Sequence, residues 1–300
     1  MLDVIILGGG AAGLSAALYA RRYGLSVLLI EELFLGGQII NTAEIENYPG
    51  FPARSGGELI DEFEKQARLY EPGFIYKSVT GVDFSKDIKL VKTADQDFES
   101  RSVIIATGRS PRELGLKREQ ELKGSGISYC ATCDGNFFRG KDVAVVGGGD
   151  TAVTEAIFLS RICRKVYIIH RRDNFRAAPA ETAKLNTTGN IEPVMNARVT
   201  ELLGESKVEG IVVSEAGNPL QLDLSAVFIA VGAVPNSKLF EGILNLDEQG
   251  YIITDEEMRA GIPGIFAAGD IRKKNLRQVI TAASDGAVAA HSAMLYMSVY

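Results

Sequence analysis

Cysteine and histidine are scarce in this chain, with three of the first and two of the second among 300 residues. So small a set excludes the disulfide framework of a little secreted domain, and it leaves any close cysteine pair to be read as metal-binding or catalytic. Positive charge is also short: 32 lysines and arginines stand against 38 aspartates and glutamates, for a net charge of −6. A nucleic-acid partner leaves a basic face or stripe, and none is visible outside one short segment. Long apolar runs are missing as well. No stretch approaches the roughly 18 residues that span a bilayer. The N-terminus enters a strand pattern at once with Leu2-Asp3-Val4-Ile5-Ile6-Leu7, so neither a signal peptide nor a membrane anchor is expected and a cytoplasmic location is. What the chain does have is 46% hydrophobic residues, enough to build real cores in about two domains.

Its organisation is a repeat. The strand Val4 to Leu7 runs into Gly8-Gly9-Gly10-Ala11-Ala12-Gly13, then a helical stretch from Ala11 to about Tyr23, then Val27-Leu28-Leu29-Ile30 ending in Glu31. The strand Val143-Ala144-Val145-Val146 runs into Gly147-Gly148-Gly149-Asp150-Thr151-Ala152, a helix to about Arg161, then Val166-Tyr167-Ile168-Ile169 ending in His170. Glu31 lies as far from Gly8 as His170 does from Gly147, at the distance where a dinucleotide fold addresses the adenosine ribose. Downstream, Val103 to Gly108 with Pro111 resembles Val227 to Gly232 with Pro235. A third glycine turn, Gly264 to Asp270, has no strand-helix partner and is expected to return to the first domain. The second copy is then an insertion in the first, with crossings near Arg112 to Lys117 and Asn245 to Gly250 as candidate hinges. The resulting boundaries are 1–114 with 248–300 for the first domain and 115–247 for the second.

Each glycine turn can bring backbone N–H groups to a pyrophosphate at a helix N-terminus. Glu31 accepts hydrogen bonds from ribose hydroxyls and repels a 2′-phosphate, so the first site suits FAD or NAD. The second copy replaces that acid with His170-Arg171-Arg172-Asp173-Asn174-Phe175-Arg176, and three guanidinium groups are how a 2′-phosphate is held. NADPH is the expected nucleotide there, with a solvated charge run as the plainer reading.

Just ahead of that second turn stands Cys130-Ala131-Thr132-Cys133-Asp134. Such a spacing puts two sulfurs within disulfide reach, and the pair can cycle between dithiol and disulfide, with a structural, redox-silent bridge as the plainer reading. Tetrahedral zinc needs about four ligands, and outside the pair only Cys163, His170 and His291 remain. Asp134 adds a carboxyl able to protonate a leaving thiolate, against the alternative of a solvated turn residue before Gly135. Cys163 reads as a small core residue. A flavin is the usual carrier between hydride and thiol chemistry.

Taken together, Gly36-Gly37-Gln38, Glu46-Asn47-Tyr48-Pro49-Gly50, the cysteine motif, His170-Arg171-Arg172-Asp173 and Ala267-Ala268-Gly269-Asp270 make the chain resemble the bacterial low-molecular-weight thioredoxin reductases over essentially its whole length. That resemblance implies an α/β fold of two Rossmann-like dinucleotide-binding domains, three-layered, the second inserted in the first, in a homodimer with non-covalent FAD and with NADPH. It places the FAD pyrophosphate at Gly8, Gly10 and Gly13, the ribose at Glu31, and further FAD contacts at Gly37, Gln38, Asn47, Gly108, Asp270 and Arg277-Gln278-Val279. It gives the NADPH pyrophosphate to Gly147, Gly149, Asp150 and Thr151, and the 2′-phosphate end to Arg171, Arg172 and Arg176 beside His170. It makes Cys133 the flavin-side thiol, Cys130 the exchange thiol and Asp134 the general acid, and it implies two domain orientations. The chain departs from the common pattern at Thr154, where a glutamate often precedes Glu155, and at Pro179, which makes a helix after the arginines less certain. The activity implied is NADPH-dependent reduction of thioredoxin. Alternatives are a reductase of another small dithiol protein or of a peroxidase partner, a ferredoxin-linked enzyme, which should lack the arginine cluster, and a non-catalytic nucleotide-binding redox sensor.

Overall fold

A computed structural model describes residues 1–299 apart from 43, 44, 46, 52, 53 and 216, so that Glu46 of the motif above lies outside the described residues. In chain order the elements are β1 (Leu2–Leu7), α1 (Ala11–Arg22), β2 (Val27–Glu31), α2 (Gly56–Arg68), β3 (Gly73–Tyr76), β4 (Val79–Asp83), β5 (Lys89–Thr93), β6 (Asp97–Ile105) and β7 (Arg109–Pro111). There follow β8 (Ile127–Ser128), α3 (Ala131–Asp134), β9 (Asp142–Gly147), α4 (Asp150–Ser160), β10 (Lys165–Ile169), α5 (Pro179–Thr187), β11 (Ile191–Val194), β12 (Ala197–Leu203), β13 (Gly210–Glu215) and β14 (Asn218–Asp223). The chain closes with β15 (Ala226–Ala230), β16 (Ala233–Pro235), β17 (Ile265–Ala267) and α6 (Val279–Val299).

Two compact units result: Met1–Ser110 with Val234–Tyr300, and Pro111–Ala233. In the first, a sheet runs in the order β3-β2-β1-β6-β5-β4, and β17 pairs in parallel with β6. From Val4 to Leu7, β1 is apolar without interruption because both its faces are covered. Val4 and Ile6 join the core under α1 and α6, whereas Ile5 and Leu7 join the core on the other face with Phe84 and Phe240. In the second unit five parallel strands run β11-β10-β9-β15-β8, and β12-β13-β14 form a separate antiparallel sheet. Val143 and Val145 face the α4 side, while Ala144 and Val146 meet Ile211 and Val213 of β13. Each unit therefore joins helices, a parallel sheet and antiparallel strands, which continue the same sheet through β6 in the first unit and form a sheet of their own in the second. β17 sits on β6 as β8 sits on β15, so the third glycine turn does return to the first unit.

The first crossing lies at Ser110–Pro111, just ahead of Arg112 to Lys117. The second lies at Ala233–Val234, well before Asn245 to Gly250. The reason is local. Asn236 donates its amide to Thr107 O (2.8 Å) and its backbone N–H to Gly108 O (3.0 Å), and Phe240 is fully buried and stacked on Phe84. Burying a phenylalanine is worth about 1.5–3 kcal/mol, which ties this segment to the first unit. Pro179 does not interrupt the helix after the arginines. It occupies the first position of α5, where its missing N–H costs nothing.

Candidate functional site

β1 delivers the chain to Gly8, whose φ of +101° and whose Cβ space, 2.4 Å from Ala106 O, admit only glycine. At Gly13 a Cβ would lie 1.9 Å from Gly8 O, so α1 sits directly down on the turn. Gly10 is different: the nearest atom to a Cβ there is Gly36 O at 3.8 Å, and it caps α1 without any side-chain hydrogen bond. With no acidic residue in its first turn, α1 leaves its first N–H groups to an anion in that space. Glu31, at the end of β2, accepts the Gly9 N–H at 2.7 Å through one oxygen and the Glu32 N–H at 2.8 Å through the other. The carboxylate is thereby held against the turn.

The neighbouring predicted residues gather round. Gly36 donates its N–H to Gly9 O at 2.8 Å and bridges to Gly10. Gly37 opens a short 3₁₀ turn, in which the Gln38 side chain donates to Arg109 O, next to Gly108. Arg109 pairs with Asp270 at 3.1 Å, and a Cβ on the adjacent Gly269 would lie 2.8 Å from the Ala12 side chain. Asn47 donates to Gln278 Oε1 at 3.0 Å, and Gln278 precedes Val279, the first residue of α6. α6 in turn lies on α1, with Ser15 Oγ donating to Ala283 O at 2.7 Å. Arg277 stands apart, its guanidinium 4.0 Å over the Tyr251 ring.

The second turn repeats this geometry. A Cβ at Gly147 would meet Ala230 O at 2.3 Å, whereas at Gly149, the cap of α4, nothing lies within 4 Å and no side chain caps the helix. The Asp150 carboxylate, which would oppose an anion, is committed to the Ala178 N–H at 2.7 Å, and Thr151 is exposed. At the position matching Glu31, His170 is buried directly beneath Gly148, where a Cβ would strike its ring at 2.2 Å. It stacks on Phe175 at 5.7 Å. Burial, reinforced by the positive charges of Arg176, Arg172 and Arg171, pushes its imidazole below the ordinary histidine range. It thus fills space as a neutral ring where a carboxylate stands in the first copy.

Beside this ring a cavity of about 290 Å³ is lined by Gly147, Gly148, His170, Arg171, Arg176 and Arg198, among others. Arg176 reaches it because its own N–H donates to Gly148 O at 2.6 Å, folding the arginine loop back onto the turn. Arg172 is exposed and outside that lining. Arg198 stands outside the arginine motif. It arrives because Ala197 N–H donates to His170 O at 3.0 Å, a contact with no signature in local sequence.

The cysteines form a disulfide, Cys130–Cys133, across the first turn of α3. Cys130 caps α3, accepting the Cys133 N–H at 3.2 Å on its sulfur, and the Thr132 hydroxyl lies 3.3 Å from the same atom. Buried Ser128, at the end of β8, donates its hydroxyl to Asp134 Oδ2 at 2.7 Å and accepts the Cys130 N–H at 3.0 Å. Asp134 is therefore oriented beside the pair by a residue that sequence reading passed over. α3 rests on α4 through fully buried Ala131, and a Cβ on Gly135 would come 2.8 Å from the Leu159 side chain. Glu155 of α4 accepts a backbone hydrogen bond from Ala131. Cys163 is buried as expected, and burial pushes its thiol up to about 11.

A family model, pyridine nucleotide-disulphide oxidoreductase, matches residues 2–286. The chain belongs to that family. It is an oxidoreductase, and 44% identical over 298 residues to the thioredoxin reductase of Listeria monocytogenes, with 98% of this chain and 93% of that protein covered. Lactococcus lactis thioredoxin reductase in crystal form superposes with a TM-score of 0.93 at 39% identity, each chain covered completely. A ferredoxin-flavin thioredoxin reductase of Clostridium acetobutylicum matches with a TM-score of 0.56 at 32% identity, over 99% of this chain and 97% of that one. Among the described residues no helix is long and apolar enough to cross a membrane.

Proposed function

We propose that the chain is a thioredoxin-disulfide reductase that draws electrons from NADPH, carries them through FAD and the Cys130–Cys133 disulfide, and passes them to oxidised thioredoxin. The observation that carries this reading is the disulfide on α3, in the same unit as a nucleotide turn whose cavity is lined by arginines. The first unit fits FAD. Gly10 leaves room at an uncapped helix N-terminus for a pyrophosphate, Gly8 and Gly13 hold the turn close, and Glu31 presents a carboxylate suited to ribose hydroxyls. Gly37, Gln38, Asn47, Gly108, Asp270, Arg277, Gln278 and Val279 are assigned to the rest of the cofactor. When bound, FAD supplies a carrier that accepts a hydride equivalent and gives up an electron pair to a disulfide.

In the second unit Gly147, Gly149, Asp150 and Thr151 take the pyrophosphate of NADPH through backbone N–H groups. Arg171 and Arg176, joined by Arg198, take the 2′-phosphate; Arg172 and His170 complete its surroundings. The arginine cluster favours NADPH over the ferredoxin-linked alternative. Reduction of the pair leaves one sulfur as thiolate, and at Cys130 that charge meets the Cys133 N–H and the Thr132 hydroxyl. Cys130 is assigned as the sulfur that exchanges with the substrate and Cys133 as the flavin-side sulfur. Asp134, aligned by Ser128, donates the proton that a leaving thiolate needs. A homodimer working in the cytoplasm completes the reading.

The test is an anaerobic titration of the FAD-loaded protein. Addition of NADPH is expected to bleach the flavin, and a slight excess of oxidised thioredoxin to restore it with release of thiols. Bleaching without recovery would send the search to another dithiol acceptor. Failure to bleach with NADPH would overturn the donor.

A further inference from the structure

Glu155 lies on α4 at the back of the cysteine motif, where no part of the reading above uses it. One turn of α3 is seated on α4 by its two smallest contact points, Ala131 and Gly135. The Glu155 carboxyl of α4 accepts the hydrogen bond of the Ala131 backbone, one peptide from Cys130. Its other oxygen, Oε2, is buried and has no hydrogen-bond partner among the described residues. A carboxylate oxygen left so is expensive, which narrows the gap between the ionised and the protonated group in the disulfide form. Consistent with this, burial pushes the group up to about 7.

Among the described residues no charge compensates it. The charged groups on the elements packed against α4 are engaged elsewhere: Asp134 on α3 with the Ser128 hydroxyl, Asp142 on β9 with Arg164, Lys165 on β10 with Glu192 on β11, and Lys184 with Glu181 on α5. Asp150, on α4 itself, is held by the Ala178 N–H, and β15 carries no charged residue.

We propose that Glu155 is a positioning residue that couples the redox state of the Cys130–Cys133 pair to protonation, taking up one proton when the disulfide is reduced and giving it back when the disulfide re-forms. The proposal rests on the cysteine assignment above. Reduction breaks the Sγ–Sγ bond with two electrons, which NADPH supplies in the proposed activity, and with one proton, leaving one thiol and one thiolate. The thiolate adds a negative charge beside the peptide whose N–H the poorly solvated Glu155 carboxylate accepts. Like charges at short range in such a place disfavour each other's ionised form, so Glu155 takes a second proton from solvent. When a substrate disulfide accepts the electron pair and the Sγ–Sγ bond closes, the thiol proton and the Glu155 proton both leave. The protein's pair thus exchanges two protons per two electrons where it would otherwise exchange one.

The experiment equilibrates the whole FAD-loaded chain with dithiol/disulfide buffers from about pH 7 to pH 9, traps thiols by alkylation and counts reduced Cys130 and Cys133 by mass. Relative to Glu155→Gln, whose amide oxygen still accepts the Ala131 N–H, the wild-type equilibrium is expected to lose up to about an extra tenfold in reduction per pH unit, or about 30 mV for a two-electron couple. Equal slopes in the two proteins would overturn the role of Glu155 while leaving the cysteine assignment intact, whereas a pair that cannot be cycled at all would overturn both. Should the variant fail to fold, the wild-type protein decides: its reduced-minus-oxidised infrared difference spectrum is expected to gain a protonated-carboxyl band, removed by no change at Asp134→Asn, and absence of that band refutes the proposal.

Discussion

Arg171, Arg172 and Arg176 are not equivalent, because only the first and last line the cavity beside His170. Charge-assisted hydrogen bonds contribute on the order of 1.5 to 3 kcal/mol each. Replacing Arg171 and Arg176 by alanine is therefore expected to raise KM for NADPH at least about a hundredfold while leaving KM for NADH nearly unchanged, and Arg172→Ala to have a much smaller effect. Steady-state kinetics with both nucleotides checks this, and equal effects on the two would mean that no 2′-phosphate is bound there. The exchange of Glu31 for His170 was legible in the sequence because both sit at a fixed distance from a glycine turn. Ser128, Arg198 and Glu155 were not. Each earns its place through a contact made by folding: Ser128 by ending a two-residue strand, Arg198 by the return of β12 to His170, and Glu155 by the seating of one helix on another.

At the scale of elements, the two strand-turn-helix units were readable almost to the residue, since uninterrupted apolar strands and small residues at the turn leave few other structures open. The seating of α1 on its turn sets a sharp condition. A methyl group at Gly13 would lie 1.9 Å from Gly8 O, a backbone atom that cannot step aside. Gly13→Ala is expected to yield protein that purifies with little or no flavin, yet still binds a 2′,5′-ADP matrix through the other unit. Full flavin content in this variant, measured by absorbance after denaturation, would count against the first turn as the FAD site. The short strands β8 and β17 carried too few residues to show a period, and the helix at Pro179 was obscured because a proline reads as a breaker unless its place at the helix start is known. The position of the second crossing depended on Phe240, whose burial no local pattern announces.

For the molecule as a whole, a buried acid joins segments of the first unit that lie apart in sequence. Asp285, on α6, accepts from the Gly269 N–H at 3.0 Å, from Arg272 Nε at 2.8 Å and from Lys274 Nζ at 2.9 Å, tying the turn after β17 to the long helix. Burial alone would raise its pKa, but the hydrogen bonds and charges of Arg272 and Lys274 outweigh it and hold the carboxyl below its ordinary 3.8. A group depressed in the folded state lends stability above its unfolded pKa and loses it as the pH falls through the folded one. Asp285→Asn is thus expected to cost on the order of 3 kcal/mol at neutral pH, with the gap to wild type narrowing below about pH 4 as the native acid protonates. Thermal melts across that range test it, and a gap constant with pH would show that the carboxylate charge is immaterial.

Where the chain leaves the first unit and where it returns, it does so on β7 and β16, which pair as a two-stranded ribbon, and just beyond them Arg112 N–H donates to Gly232 O at 2.9 Å. The two ends of the inserted unit are thereby stitched together. Closing a long flexible loop costs entropy that grows with its length, but a loop that has already folded with its ends joined presents no such length. To the strands on either side, the entire inserted unit counts as little more than the tip of a hairpin. An ancestral dinucleotide fold could accept a copy of itself at that position, and the flanking sheet would register only a tight turn.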